Sequence, residues 1–214
     1  MNDIISAKFR EWTSGRRTGN NIVDIYTSIR DIPFCVVPEF FDAHKGPEGM
    51  LLLNKGFCVP KHYLLGVMFG MLGVDVRYCT YAFKWKDIQA VMPSGVKSLA
   101  DDLPVTYHLA CKARINGRWA LVDATWDSPL ASAGFPVNKN WDGESDTLLA
   151  VKHADEVIHD DMCMREDIFN QKMSSYSLPE KLALSRFSMA LNKWLDDVRS
   201  GKERCIDRSG RGKE

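Results

Sequence analysis

VTYHLACKARINGRWALVDAT, residues Val105–Thr125, decides how this chain is read. Val105–Ile115 and Trp119–Thr125 favour strand formers, and Ile115-Asn116-Gly117-Arg118 joins them. Asn-Gly between two such runs predicts a type I′ hairpin turn, because both central positions need positive φ. That turn sets the register. Ile115 pairs with Arg118, Arg114 with Trp119, Lys112 with Leu121, Ala110 with Asp123 and His108 with Thr125. Side chains alternate across a strand, so His108, Ala110, Asp123 and Thr125 project to one side. Leu109, Cys111, Ala113, Ile115, Ala120 and Val122 form the opposite, apolar side. Asp123 is then a diagonal neighbour of His108, with Cα atoms about 7–8 Å apart, within reach of a carboxylate–imidazole hydrogen bond. A slip of one residue would put the two on opposite faces.

Upstream, Lys55-Gly56-Phe57-Cys58-Val59-Pro60 opens a helix expected over Val59–Leu72. Pro60 suits a first turn, Leu64, Leu65, Met68, Met71 and Leu72 form an apolar face, and Gly73 is a C-terminal stop. A thiol at a helix start feels free N–H groups and the positive end of the helix dipole, and a neighbouring imidazolium lowers its pKa further. Gly56 admits close approach of substrate or backbone. Taken singly, a cysteine ahead of a core helix is ordinarily inert packing, and a strand histidine is ordinarily structural. Cys58, His108 and Asp123 together supply a nucleophile, a base and an orienting carboxylate.

Composition limits the alternatives. The 214 residues are 45% hydrophobic and 26% charged, ordinary for one globular domain, expected over residues 1–200 with a flexible polar tail over 201–214. Lys plus Arg and Asp plus Glu both number 28, so the net charge is zero and general nucleic-acid binding is not expected. No apolar run approaches the roughly 20 residues of a membrane span, and Met1–Lys8 lacks the pattern of a signal peptide. The expected location is the cytoplasm, with no membrane partner. The six cysteines include no CxxC pair, so neither disulfides nor zinc is expected. His153, His159 and Cys163 lie near one another, the last two at i, i+4 on a shared helix face, but a fourth ligand is missing. No cofactor is implied.

Elsewhere, helices are expected at Ile4–Trp12 and Asn20–Arg30, and a strand at Val74–Phe83. Ser177-Leu-Pro-Glu180 has capping-box spacing and starts a C-terminal helix whose face is Leu184, Phe187, Leu191, Trp194, Leu195 and Val198. Phe34–Glu48, Lys84–Pro104 and Asp127–Asp146 read as a connector and loops. Trp85, Tyr107, Trp119 and Trp126 are candidates to shape a groove. Lys61 and His62 read as solvated or lining residues.

Gly56-Phe-Cys58-Val-Pro-Lys61 with Leu72-Gly73-Val74-Asp-Val76-Arg77 resembles the cysteine segment of the transglutaminase-like superfamily. Tyr107-His108-Leu-Ala and Asn116-Gly117-Arg-Trp119-Ala-Leu-Val-Asp123-Ala-Thr125-Trp126 resemble its histidine and aspartate segments. The resemblance covers about residues 20–127. It implies an α+β fold with a papain-like core, in which a cysteine-bearing helix packs on an antiparallel sheet, preceded by N-terminal helices and followed by a C-terminal helix. It implies Cys58 as nucleophile, His108 as general base and acid, and Asp123 as the group orienting the imidazole. The reaction would cleave or transfer an amide acyl group of a peptide, protein or other amide through a thioester, with the Cys58 N–H as first oxyanion donor. The alternative is a silent member that keeps the groove for peptide capture. Asn54, the nearest upstream amide side chain, reads as a turn residue. His108 is followed by Leu109-Ala110 where many relatives have Ala-Trp, and no EF-hand-type calcium loop is present. Oligomeric state is not legible.

Overall fold

The computed structural model describes residues 3–14, 18–152 and 155–202. In chain order its elements are α1 (Asp3–Ser14), α2 (Asn21–Arg30), α3 (Lys45–Leu53), α4 (Cys58–Met71), β1 (Val76–Phe83), α5 (Ser94–Asp101), β2 (Thr106–Ile115), β3 (Arg118–Val122), β4 (Glu156–His159), α6 (Met162–Ser174) and α7 (Leu178–Arg199). The strands form one antiparallel sheet in the order β3-β2-β1-β4. The architecture is the expected α+β one, with the cysteine-bearing helix against the sheet. The tail beyond Lys202 lies outside the described residues.

The hairpin forms around Asn116 (φ +50°) and Gly117 (φ +80°), both in the left-handed region a type I′ turn requires. The predicted pairs Ile115–Arg118, Arg114–Trp119 and Lys112–Leu121 are present. On the apolar side, Leu109, Cys111, Ala113 and Val122 are wholly buried.

Helix α4 is the centre of the core. Val59 to Gly66, Met68 and Phe69 are all buried, and the helix touches β1 and β2 on one side and α1, α2 and α3 on others. A helix surrounded in this way has no solvated face, which is why Lys61 and His62 are fully buried rather than solvated or lining. Gly66 lets the sheet come close: a Cβ there would collide with the Tyr78 hydroxyl.

Several segments differ from expectation. The supposed connector Phe34–Glu48 holds a 3-10 turn at Pro38–Phe41 and the start of α3. Asp42 caps that start by accepting from the His44 and Lys45 N–H groups. Gly46, which signals a connector, is a close-approach position instead, as is Gly49, since a Cβ at either would strike Phe40. The supposed loop at Lys84–Pro104 contains α5, with Val96 and Ala100 buried. The segment after Asp127 is irregular but not a surface loop, because Leu130, Phe135 and Trp141 are buried.

Core truncation in α4 is therefore expected to be expensive. Leu64→Ala should cost about 2–5 kcal/mol, whereas Leu182→Ala, half-exposed on α7, should change stability by less than about 0.5 kcal/mol. Urea denaturation of both variants checks the contrast.

Candidate active site

Strand β3 stops at Val122, opposite Cys111. The predicted pairs Ala110–Asp123 and His108–Thr125 do not form, because Asp123 makes a competing local structure. Its Oδ1 accepts from the Thr125 N–H (3.1 Å) and hydroxyl (2.5 Å), while its own N–H donates to Thr147 Oγ1 (2.8 Å). The chain leaves the sheet there. In this register Leu109, like Cys111, directs its N–H toward the β3 side, where no strand follows.

The predicted His108–Asp123 contact is present nonetheless. His108 Nε2 lies 2.8 Å from Asp123 Oδ2, which also accepts from the Ala150 N–H (2.8 Å). Both side chains are buried. Burial raises the Asp123 pKa, but the His108 charge and the hydrogen bonds outweigh it, and the carboxyl is held well below its usual range. An ionised carboxylate only accepts, so Nε2 is the donor. Burial also opposes charge on His108, yet Asp123 and Cys58 raise it to about 10.

Cys58 is the first residue of α4 and is half-buried. Burial pushes its thiol up. Hydrogen bonding and charge from His108, the Leu109 backbone N–H and the charge of Arg165 pull it down by more, so the net direction is down. With Nε2 committed to Asp123, Nδ1 is the ring nitrogen that remains for the thiol. Three other cysteines behave oppositely: burial pushes half-buried Cys35 up, Cys79 to about 11 and Cys111 well above its ordinary value.

Two further residues of α4, Lys61 and His62, lock its start in place. Lys61 Nζ donates to the carbonyls of Arg30 and Thr125, each at 2.8 Å, and burial lowers its pKa to about 7. His62 Nε2 accepts from the Ala124 N–H (3.0 Å), so Nδ1 carries the proton and donates to the Cys58 carbonyl (2.7 Å). Burial lowers His62 to about 4. Its 3.6 Å approach to Asp123 Oδ1 is therefore a contact of a neutral ring and not an ion pair. Arg165 on α6, which sequence did not single out, is wholly buried. It donates to Tyr63 Oη (3.2 Å) and Thr80 Oγ1 (3.4 Å) and lies 4.3 Å above the Phe169 ring.

Cys58 opens onto a groove of about 470 Å³ whose walls include Phe34, Phe57, Trp85, Tyr107 and Phe169. Of the aromatic candidates, Trp85 and Tyr107 line it. Trp119 stacks under Arg77 at the hairpin, and Trp126 is buried between Phe34 and Phe135. Asn54 is the exposed left-handed C-cap of α3 (φ +48°). His159 and Cys163 do not share a helix face, since His159 ends β4 and Cys163 lies on α6, and His153 is outside the described residues. Among the described residues no group of three or more His, Cys, Asp or Glu is placed to hold a metal ion, and no helix is long and apolar enough to cross a membrane.

No protein-family model and no curated protein matches this chain. Among solved structures it is similar to a "Putative Cysteine Protease" from Cytophaga hutchinsonii, with 19% identity and a TM-score of 0.39. The match covers 60% of this chain and 38% of that one, so the chain spans well under half the length of that protein.

His62 gives the site a pH signature. Its folded pKa of about 4 is below the unfolded value of 6.5, so the unfolded chain binds a proton first as pH falls. The stability it confers is present above 6.5 and lost as pH drops toward 4, by up to roughly 3 kcal/mol. His62→Gln keeps a donor and an acceptor but cannot titrate. Denaturation between pH 7 and 4 should show a slope shallower by about one proton in that variant.

Proposed function

We propose that this chain is a transglutaminase-like thiol enzyme that cleaves or transfers an amide acyl group through a thioester. Cys58 is the nucleophile, His108 the general base and acid, and Asp123 the group that orients the imidazole. The observation that carries this reading is the 2.8 Å hydrogen bond from His108 Nε2 to an ionised Asp123, with a depressed Cys58 thiol at the other ring nitrogen.

The thiolate attacks the amide carbonyl carbon, forming a C–S bond and placing the π pair on oxygen. The oxyanion meets the Cys58 N–H, one of the helix-start donors without an intrahelical acceptor. Such a donor is typically worth about 10²–10³ in rate. Collapse breaks the C–N bond as His108 gives its proton to the departing amine. His108 then takes a proton from water, which attacks the thioester, and the acid leaves with Cys58 restored. An amine in place of water completes transfer instead.

The test is iodoacetamide labelling from pH 4 to 9, read peptide by peptide by mass spectrometry. Cys58 should label at least about 10-fold faster than Cys35 near pH 6, and His108→Ala should remove the advantage. Equal labelling that ignores His108 would overturn the proposal. Amide turnover lost in Cys58→Ala with the fold intact separates an enzyme from a module that only captures peptides.

A further inference from the structure

We infer that the groove beside Cys58 is an acyl pocket for a bulky apolar group without positive charge. This rests on the thiol-enzyme reading above and narrows its substrates to amides whose acyl side carries an aromatic or long aliphatic substituent.

The walls are the first reason. Eight of the described lining residues are aromatic, and Val36, Met173, Leu184 and Met189 add aliphatic and thioether surface. A volume of about 470 Å³ falls in the range of pockets that enclose small organic groups.

The polar atoms are the second. Asn192 spends its amide on Val36, accepting from the N–H at 2.8 Å and donating to the carbonyl at 2.9 Å. The Tyr176 hydroxyl donates to the Val105 carbonyl, and the Thr106 hydroxyl to that of Phe83. These three side chains face the groove yet are satisfied within the protein, and the other hydroxyls on the described lining are those of Tyr107, Ser185 and Ser188. A sugar or other polyhydroxyl acyl portion would lose its water and find few partners. An apolar group loses nothing there and gains by burial.

Continuity with the nucleophile is the third. Cys58 is itself part of the wall, between Phe57 and Val59, and the Phe83 ring lies 6.5 Å from that of His108. A carbonyl at the thiol can thus send its substituent directly into the groove. The far wall is held in place. Arg199 at the end of α7 pairs with buried Asp127 through Nε (2.8 Å) and Nη2 (2.9 Å), and Phe169 on α6 stacks on Phe41. Among the described residues Lys181 is the one charged residue lining the groove, so a cationic substituent meets like charge.

The experiment uses N-acetylated aminoacyl chloromethyl ketones of glycine, phenylalanine and lysine. Each alkylates a thiolate by forming S–C and releasing chloride, and the rate at Cys58 is divided by that of iodoacetamide in the same protein. The phenylalanine probe should exceed the glycine probe by about 10-fold or more, with the lysine probe below the phenylalanine one. Ser188→Trp, which fills the groove from α7, should reduce the phenylalanine ratio to the glycine level. Lys181→Glu changes only an exposed position and should raise the lysine ratio severalfold. Equal ratios for glycine and phenylalanine, or a phenylalanine advantage untouched by Ser188→Trp, would overturn the inference. Failure of iodoacetamide itself to prefer Cys58 would instead overturn the underlying reading, so the two failures are distinct.

Discussion

A buried, ionised carboxylate at Asp123 organises the site. An unpaired charge in that position would be costly, and four donors offset the cost: the His108 ring, the Thr125 hydroxyl and N–H, and the Ala150 N–H. Hydrogen bonds to a charged group contribute about 1.5–3 kcal/mol each. They also tie together distant parts of the chain. The same residue joins β2, the end of β3 and the segment near Ala150, and its backbone carbonyl accepts from Tyr26 on α2 (3.1 Å). Satisfying Asp123 thus requires the sheet, the N-terminal helices and the irregular segment to be placed together.

The start of α4 is tied to the same knot. Lys61 reaches the Thr125 carbonyl and His62 the Ala124 N–H, so the residues flanking Asp123 hold the helix that carries Cys58. These are backbone contacts made by side chains three and four positions beyond the thiol. They set the height and rotation of the helix start relative to His108. A neutral His62 suits this role, since a proton on Nε2 would remove the acceptor for Ala124.

The hairpin register was legible because turn chemistry and two-residue alternation are local. The end of β3 was not, because it depends on Asp123 and Thr125 choosing each other over the ladder. Gly46 of α3 reads as a breaker although packing against Phe40 is what demands it. Lys61 and His62 read as solvated because nothing in their periodicity reports that α4 is enclosed on every side. The proximity of Cys58 to His108 joins residues 50 positions apart, and only resemblance suggested it. The short edge strand β4 carries four residues and no alternation signal strong enough to mark it.

Helix α6 shows why the C-terminal third belongs to the site although it lies beyond the resemblance. Arg165 and Phe169 are one turn apart on the same face. Arg165 is buried with no carboxylate in ion-pair range among the described residues. Its charge acts on Cys58 in the same direction as that of His108. Phe169 lines the groove and also carries the guanidinium on its ring. A displacement of α6 would therefore alter the charge felt by the thiol and the shape of the cavity together. Helix α7 adds wall without adding charge near the thiol, because Lys181, its one groove cation among the described residues, stands at an exposed position on its first turns. On the proposed reading, thiol reactivity and selectivity would thus be coupled through α6, and selectivity would vary on its own through α7.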